Sequence, residues 1–511
     1  MFYNDFDNPE NNSIIDLEKY KEICKVCDEI LLSPDANEVT VAIPILHVIR
    51  EHPVFLKQYE SIFDSLKIKK NKAKFSIEFK VAIKFIINLS YKLFFSKKYW
   101  HATSKLKKNY DYIFVSHLLN VDQAGQDNDF YFGDIPNLLV QKGKNVLIVL
   151  LNHTGVPNNL LCSKWQNKHV TRVLLTSDIA FFKELRGVFK ILFEFKRLDK
   201  EFKKEESSFK KGILLLVKNQ FYPTLDNYRK SKQFLRLAKI TSPKNIVTTF
   251  EGHGWERIFF SSFRQIMPDV KCFAYQHALV FKEQHAIRRN LQKKYNPNII
   301  LTSGLFAKNQ FLDTNHFSNI DIKILGTNRV PKFFLINENQ LDLIKPPTET
   351  ILVIPEAIYS ECILLFEFSI KCAKLLPDIN FIWRLHPLMD FNKLFNQNPH
   401  LLLRPGNIII SKQTLEDDIL RSQKVLYRGS TAIINCILSG LKPIYLRIHN
   451  EMTIDPLYDA HFYKLIVSCP QDLEQYFLKE NLISKGEEVD QKKLLVYCHN
   501  LMSPFDISTL S

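Results

Sequence analysis

The chain contains little glycine, 14 of its 511 residues. Neither the G-x-G-x-x-G pattern of dinucleotide-binding loops nor the G-x-x-x-x-G-K-[ST] pattern of P-loops occurs, so the usual sequence support for those two sites is missing. Long apolar runs are missing too, since no stretch reaches the roughly 18 uncharged residues that span a bilayer. The acidic start MFYNDFDNPENN lacks the basic and apolar regions of a signal peptide. We therefore expect a cytoplasmic protein.

Cysteine is sparse as well, with nine residues spread along the chain, which predicts reduced thiols rather than a disulfide framework. The C-x-x-C of Cys24 and Cys27 lies in a segment of helical periodicity without a second ligand pair, which favours helix packing over zinc binding. The triplet Asp127-Asn128-Asp129 lies in a polar loop, and such triplets are too common to predict a cation site. We predict no bound metal and no cofactor.

Positive charge is what the sequence has in excess. The 69 Lys and Arg residues against 54 Asp and Glu residues give a net charge of +15. Such a balance attracts the phosphates of nucleic acids, of anionic lipids or of nucleotide-activated substrates. No nucleic-acid-binding motif accompanies the charge, so nucleic acid is not an expected partner.

Three segments combine lysines with apolar residues in a way that fits a membrane surface. Residues 67–98 favour either a basic helix at such a surface or a buried helix with lysine stems at its edges. FKKGILLLVKNQF (209–221) and RKSKQFLRLAKI (229–240) are two further candidates. Peripheral association with a membrane is therefore one expectation for this chain.

The patterns divide the chain into three parts. Residues 1–108 have mainly helical periodicity and are predicted to form an N-terminal extension. From about residue 111, short β-branched or aromatic runs alternate with helical stretches, as in a parallel sheet with crossover helices. A second series of this kind follows a proline-containing linker. We predict an α/β fold of two doubly wound, Rossmann-like domains facing a cleft, over residues 109–337 and 338–511.

Twelve segments are predicted as strands. Seven belong to the first series: 111–118, 145–152, 171–177, 245–251, 271–277, 298–304 and 322–327. Five belong to the second series: 351–356, 380–387, 407–411, 424–430 and 442–447. Ligands of such sheets bind beyond the carboxyl ends of the strands, so residues at these ends are the candidates for a site.

Two strand ends of the second series carry groups that suit a phosphate. Arg384 and His386 lie two residues apart and therefore share a face, and they offer a guanidinium fork and a ring N–H. Gly429, Ser430 and Thr431 lead from a strand into an apolar-periodic helix, which would aim N–H groups and hydroxyls at an anion. The alternatives are a solvated strand end and a plain N-cap at Ser430. Together the two ends predict a donor-phosphate site.

Three strand ends of the first series suggest acid–base chemistry and substrate contacts. Glu251 is placed to take a proton from an acceptor hydroxyl, although a capping or ion-paired glutamate would fit the same position. Glu256, in the next helix, is expected to pair within its first turn. His277 is a candidate for donor binding, and Asn152 with His153 for acceptor binding, against a purely structural role for each.

The order and position of these motifs resemble GT-B glycosyltransferases. The narrower resemblance is to bacterial enzymes of capsule and lipopolysaccharide assembly that use CMP-activated ulosonic acids, such as sialic acid and Kdo. The matching pairs are Glu251 with Gly252, His386 with Pro387, and Ser430 with Thr431. FEGHGWE and YFGDIPNLL also resemble segments of surface carbohydrate biosynthesis proteins, and the similarity covers roughly residues 111–470.

This resemblance implies a metal-independent enzyme that transfers an ulosonic acid from a CMP-linked donor to a surface glycan or glycolipid. From the basic apolar segments we expect it in the cytoplasm, with the inner face of the cytoplasmic membrane as one location. His386 and the Ser430-Thr431 turn would stabilise the departing phosphate. One residue departs from the pattern, because the enzymes that this sequence resembles carry a second acidic residue, their general base, where this chain has Gly252. Either Glu251 deprotonates the acceptor in its place or the mechanism differs. Three alternatives remain: a nucleotide-sugar epimerase, a polyol-phosphate transferase, and a non-catalytic scaffold at a membrane surface.

Overall fold

The computed structural model of the protein describes residues 15–63, 98–165, 169–314, 316–330, 348–387, 389–479 and 486–510. Two α/β sheets, preceded by a mainly helical segment, form this part of the chain, and the predicted fold class is confirmed. Most of the candidate membrane segment 67–98 and of the interdomain linker lies outside the described residues.

The N-terminal extension is a small helical layer. It contains α1 (Leu17–Leu31), α2 (Glu38–Ala42), α3 (Pro53–Leu56) and the 3-10 turns Pro44–Leu46 and Lys57–Ile62. The Asp16 side chain caps α1 by accepting a hydrogen bond from Lys19 N–H at 2.9 Å. Cys24 and Cys27 lie on the buried face of α1, where burial raises the pKa of the Cys27 thiol to about 12, as expected for packing residues.

The first sheet has eight strands in the order β1-β4-β3-β2-β5-β6-β7-β8. All neighbours are parallel except β1 and β4. The strands are β1 (Trp100–Ala102), β2 (Tyr112–Leu118), β3 (Val146–Asn152), β4 (Thr171–Leu175), β5 (Asn245–Thr249), β6 (Lys271–Gln276), β7 (Ile299–Thr302) and β8 (Asp321–Ile324). The central strands are buried on both faces, as their apolar runs predict.

Crossover helices cover both faces of this sheet. They are α4 (Ile135–Gln141), α5 (Asn158–Cys162), α6 (Phe181–Lys204), α7 (Ser208–Lys218), α8 (Phe221–Thr241), α9 (Gly254–Arg264) and α10 (Leu305–Asp313), with 3-10 turns at Asp122–Gly125, Ala286–Arg288 and Lys293–Tyr295. Phe234 of α8 and Phe259 of α9 pack edge to face at 4.9 Å within the core on one face of the sheet.

The second sheet has six parallel strands in the order β11-β10-β9-β12-β13-β14. They are β9 (Thr350–Ile354), β10 (Asn380–Trp383), β11 (Ile408–Ile410), β12 (Lys424–Tyr427), β13 (Lys442–Leu446) and β14 (Leu465–Val467). The helices are α11 (Tyr359–Leu375), α12 (Phe391–Gln397), α13 (Leu415–Leu420), α14 (Ile433–Leu438), α15 (Pro470–Lys479) and α16 (Gly486–Leu501), with 3-10 turns at Pro399–Leu402 and Ile507–Leu510.

The structure differs from the predicted domain boundaries at two places. Strand β1 lies within the predicted extension 1–108, yet it pairs with β4 and belongs to the first sheet. The C-terminal residues return to the first sheet, where Leu510 is buried and its carbonyl accepts a hydrogen bond from Tyr112 Oη at 2.6 Å. Both differences arise from long-range pairing, which local periodicity does not encode.

The two described candidate membrane segments have buried apolar faces. Ile213 and Val217 of α7 pack against the extension, and Phe234 and Leu237 of α8 lie in the core beside the first sheet. These segments therefore present no broad apolar face to lipid, in contrast to the prediction. None of the helices formed by the described residues combines the length and apolar character needed to cross a bilayer.

Candidate active site

The turn that follows β5 is built around a buried carboxylate, that of Glu256. Its oxygens accept hydrogen bonds from the backbone N–H groups of Glu251 at 3.0 Å, Gly252 at 2.8 Å and His253 at 2.8 Å. Burial, together with the nearby charge of Glu251, raises the pKa of Glu256 to about 7. Glu256 therefore shapes the turn that presents Glu251, a role beyond the predicted pairing within its own helix.

Gly252 stands where the sequence resemblance would place a second acidic residue, and the local geometry requires glycine there. Its φ is +92°, and a Cβ at this position would overlap the backbone of Ala286. No side chain fits without displacement of that backbone. The carboxylates near this turn are instead Glu251 and Glu256.

Glu251 lies between two imidazoles. Its Oε2 is 3.3 Å from His253 Nε2, and its Oε1 is 3.7 Å from His277 Nε2. Burial alone would raise the pKa of Glu251, but the hydrogen bond from His253 and the charges of both histidines lower it well below its ordinary value. The Glu251 side chain is 34% exposed and that of His253 is 40% exposed, so both remain accessible to a substrate.

The two histidines beside Glu251 differ in their protonation. Burial lowers the pKa of His253, but the hydrogen bond to Glu251 and the charge of Glu256 outweigh this effect and raise it. Burial lowers the pKa of His277 to about 4, so this ring is neutral near pH 7. Of the two rings beside Glu251, His253 is therefore the one whose protonated form the surroundings favour.

Two further imidazoles extend this group along the sheet edge. His117 Nδ1 lies 2.9 Å from His153 Nε2, and His117 Nε2 lies 3.1 Å from Thr249 Oγ1. Burial lowers the pKa of both rings. The groups come from the carboxyl ends of four neighbouring strands, β3, β2, β5 and β6. The strand-end pattern predicts His153, Glu251 and His277 as site residues but not His117, which lies inside a predicted strand.

Asn152, predicted as an acceptor contact, holds its own loop together. Its Nδ2 donates to Val156 O at 2.8 Å and to Asn158 Oδ1 at 2.7 Å. Its Oδ1 accepts from Thr154 N–H at 2.9 Å. The side chain therefore shapes the loop that carries His153, and direct contact with an acceptor stays a prediction.

The second sheet places a carboxylate, Glu356, between the two predicted phosphate-binding turns. Glu356 follows β9, which lies between β10 and β12, the strands that lead to His386 and Ser430. A Cβ at Gly429 would overlap the Glu356 carboxylate, so a larger residue there would displace this side chain. Burial and the positive charge of Arg329 lower the pKa of His386, although the negative charge of Glu356 acts to raise it. Glu356 is not among the predicted site residues, although it ends a predicted strand.

Arg384 is engaged in an ion pair. Its Nη1 lies 2.8 Å from Asp418 Oδ2 and 2.7 Å from the carbonyl oxygen of Gln413. Asp418 is fully buried and needs this cation. The guanidinium thus links the end of β10 to α13. The sequence predicts instead that this guanidinium binds a phosphate.

The start of the helix after β12 also differs from the prediction. Helix α14 begins at Ile433, with Ala432 at the N-cap position, so neither Ser430 nor Thr431 caps it. Ser430 is buried and Thr431 half-buried in the turn between Gly429 and the helix. Phosphate binding by this turn stays a prediction.

The extension contributes to the same region, which the sequence did not indicate. His52 Nε2 lies 2.9 Å from Glu356 Oε1, and Arg50 Nη2 lies 3.6 Å from Glu356 Oε2. The positive charge of Arg50 also lowers the pKa of Glu251. Arg50 is held by stacking on Phe281, with 4.1 Å between the guanidinium carbon and the ring centre. It therefore lies between the carboxylates of the two sheets.

Arg329 is a second cation between the sheets. Its guanidinium lies 5.7 Å from the ring centre of Phe130. The next residue, Tyr131, packs against His277 with 4.4 Å between the two ring centres. The charge of Arg329 lowers the pKa of both His277 and His386, which belong to different sheets. Within the described ranges no carboxylate pairs with Arg329, so its charge is available to an anion.

One cluster has the composition of a metal site. His52, Glu356 and Glu361 bring one nitrogen and two oxygens within 4.8 Å of one another. However, the guanidinium of Arg428 lies 3.3 Å from Glu361, and Arg50 accompanies Glu356. These cations already balance the two carboxylates, so the cluster is better suited to joining the extension to the second sheet than to holding a metal ion.

Comparison with known proteins identifies only remote structural similarity. The chain matches no protein-family model and no curated protein sequence. A structure of MurG from Acinetobacter baumannii is similar with 12% identity and a TM-score of 0.43, covering 78% of this chain and 98% of that one. A putative UDP-N-acetylglucosamine 2-epimerase from Listeria monocytogenes has 9% identity and a TM-score of 0.42, covering 75% and 91%. The Neisseria meningitidis UDP-GlcNAc 2-epimerase bound to UDP-GlcNAc has 13% identity and a TM-score of 0.40, covering 78% and 96%. Similarity at this level does not assign an activity.

Proposed function

We propose that the protein is a nucleotide-sugar-dependent glycosyltransferase that transfers a CMP-activated ulosonic acid to a hydroxyl of a surface glycan or glycolipid. The observation that carries this proposal is the accessible Glu251–His253 pair, beside which the cations Arg50 and Arg329 lie between the two sheets. Glycosyl transfer from such a donor needs a proton acceptor and a source of positive charge in the same place.

The Glu251–His253 pair supplies the proton acceptor. As the acceptor oxygen attacks the anomeric carbon, its O–H bond breaks and the proton passes to the pair. The bond between the anomeric carbon and the phosphate oxygen breaks at the same time, and CMP leaves with the electron pair. The ionised Glu251 carboxylate stabilises the imidazolium that results on His253.

Side chains supply the positive charge, so the proposed reaction does not depend on a metal ion. Negative charge grows on the CMP phosphate as the glycosidic bond breaks, and Arg329 and His386 lie near one another to receive it. An ulosonic acid carries a second negative charge, its carboxylate. Arg50, close to Glu251 on the extension, is a candidate partner for that group.

The first experiment is a thermal-shift screen of the full chain with CMP, UDP and GDP. We expect CMP to raise the melting temperature most, because ligands that bind only the folded state stabilise it. Stabilisation by UDP or GDP alone would overturn the donor assignment. Stabilisation by none of the three would favour the scaffold alternative.

The second experiment follows transfer from CMP-activated ulosonic acids with and without an acceptor mixture. Glu251→Gln should reduce turnover by a factor of about 100 or more, while CMP binding persists. The matched control is Glu367→Gln, since Glu367 also lies next to a histidine, 2.7 Å from His400 Nε2, on the exposed surface of α11. Conversion of a donor without any acceptor would identify an epimerase, and full turnover by Glu251→Gln would exclude this residue from catalysis.

A further inference from the structure

Helix α6 presents large apolar side chains to solvent. Phe182 is 79% exposed, Phe193 69%, Phe189 52% and Leu192 51%. Soluble surfaces rarely gather so many exposed phenylalanines on one helix. The other face of α6 is anchored in the protein, where Ile191 and Leu198 are buried.

The helix also carries many basic residues outside its buried face. They are Lys183, Arg186, Lys196, Lys200, Lys203 and Lys204. Positions 182, 186, 189, 193, 196 and 200 recur at three- and four-residue intervals, so they form one stripe along the helix. The stripe is mainly apolar in its first half and cationic in its second half.

The acidic residues of α6 face inward or pair with cations. Glu184 is fully buried and pairs with Arg229 of α8. Glu194 accepts a hydrogen bond from Thr40 Oγ1 at 2.6 Å and pairs with Arg197. Asp199 pairs with Lys218 of α7. The stripe therefore carries positive charge that no acidic residue within it offsets.

From this arrangement we infer that α6 docks the protein onto an anionic lipid surface. The helix lies in the plane of the interface, with Phe182, Phe189 and Phe193 inserted at the boundary between headgroups and acyl chains. Its lysines and arginines contact lipid phosphates, which are abundant on the cytoplasmic leaflet. This site is distinct from the membrane segments that the sequence suggested.

Charge decides between lipid and the other candidate occupants. A second copy of this chain would bring an equally basic helix against the first. Residues 64–97 carry nine lysines and only Asp64 and Glu78 as acidic residues, so they have the same sign as α6. Nucleic acid would match the charge but would leave the phenylalanines without an apolar partner. An anionic bilayer matches both properties of the stripe.

Docking through α6 does not depend on the transferase activity. It does have a consequence for that activity, because α6 follows β4, whose carboxyl end lies on the sheet edge that carries His153. A membrane on this side would bring lipid-linked acceptors close to the edge where the histidines and Glu251 gather.

The test is flotation of the full chain with vesicles of phosphatidylcholine alone or of phosphatidylcholine with phosphatidylglycerol. We expect binding only to the anionic vesicles. In the triple variant Phe182→Ser, Phe189→Ser, Phe193→Ser, the partition coefficient onto anionic vesicles should fall by about tenfold or more for each ring that inserts. In the double variant Lys196→Glu, Lys200→Glu, vesicle binding should weaken by more than about tenfold and should depend less on salt.

The matched control replaces three exposed apolar residues away from α6, in the variant Leu403→Ser, Leu478→Ser, Val496→Ser. These side chains are 81%, 76% and 60% exposed, and their loss should leave vesicle binding unchanged. Circular dichroism of every variant checks that the fold persists. Equal binding by wild type and the α6 triple variant, or no vesicle binding by wild type, would overturn the proposal.

A site-specific readout completes the test. Phe193→Trp places an indole on the stripe, and its emission should shift to shorter wavelength and be quenched by brominated lipids when anionic vesicles are added. An unchanged spectrum in the presence of bound vesicles would show that α6 is not the docking surface. CMP-induced thermal stabilisation of the same variants, without lipid, separates failure of docking from failure of the proposed transferase function.

Discussion

His52 Nε2 lies 2.9 Å from Glu356 Oε1 and 3.7 Å from Glu361 Oε1, so one buried imidazole from the extension contacts two carboxylates of the second domain, one after β9 and one on α11. His52 Nδ1 also accepts the N–H of Val54 and thereby caps α3. Both ring nitrogens are engaged. The helical extension is thus held against the second domain by a specific polar contact.

Replacing this histidine should destabilise the protein. We expect His52→Ala to lower the free energy of unfolding by about 1–3 kcal/mol, because it leaves a buried carboxylate without one partner. Urea denaturation measures the loss. The control His400→Ala removes the partner of Glu367 at a site where both side chains are about half exposed, and it should change stability by less than about 1 kcal/mol. Equal effects of the two substitutions would contradict a special role for His52.

The same contact should make stability depend on acid. Burial alone would raise the pKa of Glu356, but the charges of His52 and Arg50 lower it to about 2, below the ordinary value of 4.5. A group whose pKa is lowered on folding stabilises the protein above the unfolded pKa and loses that effect as the pH falls through the folded pKa. Unfolding measured between about pH 5 and 2 should therefore show a shallower loss of stability in Glu356→Gln than in wild type.

The Glu251–His253 pair predicts the acidic limb of the pH–rate profile. The carboxylate holds the pKa of His253 above 6.5, so activity should rise with pH as this ring loses its proton. In Glu251→Gln the main source of the upward shift is gone, and the residual activity should rise at lower pH than in wild type. NMR titration of the His253 ring measures the pKa directly in both proteins. An identical His253 pKa in both would contradict the pairing.

Much of the fold follows from local patterns in the sequence. All twelve predicted strands occur, since buried parallel strands are marked by runs such as NVLIVLLN (145–152) and NIVTTFE (245–251). The two strands that the sequence did not predict, Trp100–Ala102 and Leu465–Val467, have three residues each and lie at sheet edges. Such short segments carry too little periodicity to be recognised.

The site was less predictable because it depends on contacts between distant parts of the chain. Glu251 and His277 can be predicted from strand ends, but Arg50 and His52 reach the second sheet only through packing of the extension.

Periodicity also shows that a helix is amphipathic without showing what covers its apolar face. This is why 209–221 and 229–240 were predicted to meet a membrane, whereas the exposed phenylalanines are on α6.

Gly252 should tolerate no side chain. Gly252→Ala combines a left-handed backbone with overlap against the Ala286 backbone, and we expect it to cost more than about 3 kcal/mol in unfolding free energy. Gly143→Ala is the matched control, since Gly143 has a φ of +76° but no atom lies within 4 Å of the place that a Cβ would occupy. It should cost only about 1–2 kcal/mol. Similar losses in the two variants would show that Ala286 yields easily to a side chain at residue 252.

Arg329 should contribute to nucleotide binding more than any histidine of the cleft, because its charge is permanent and lies near both His277 and His386. Arg329→Ala is expected to raise the Kd for CMP by about 10–100-fold, the usual effect of losing a charged hydrogen bond to phosphate. Isothermal titration calorimetry at two salt concentrations measures this loss, and the variant's affinity should depend less on salt than that of wild type.

Arg404 provides the control for this last prediction. Its guanidinium also stacks on a phenylalanine, 5.8 Å from the ring centre of Phe395, but it precedes β11 and so lies at the amino edge of the second sheet, opposite the candidate site. Arg404→Ala should leave CMP affinity unchanged. If the two arginine variants bind CMP equally, the effect of Arg329 is not local to the phosphate. If Arg329→Ala binds as tightly as wild type, the phosphate lies elsewhere, and His386→Ala then tests whether the second sheet holds the nucleotide at all.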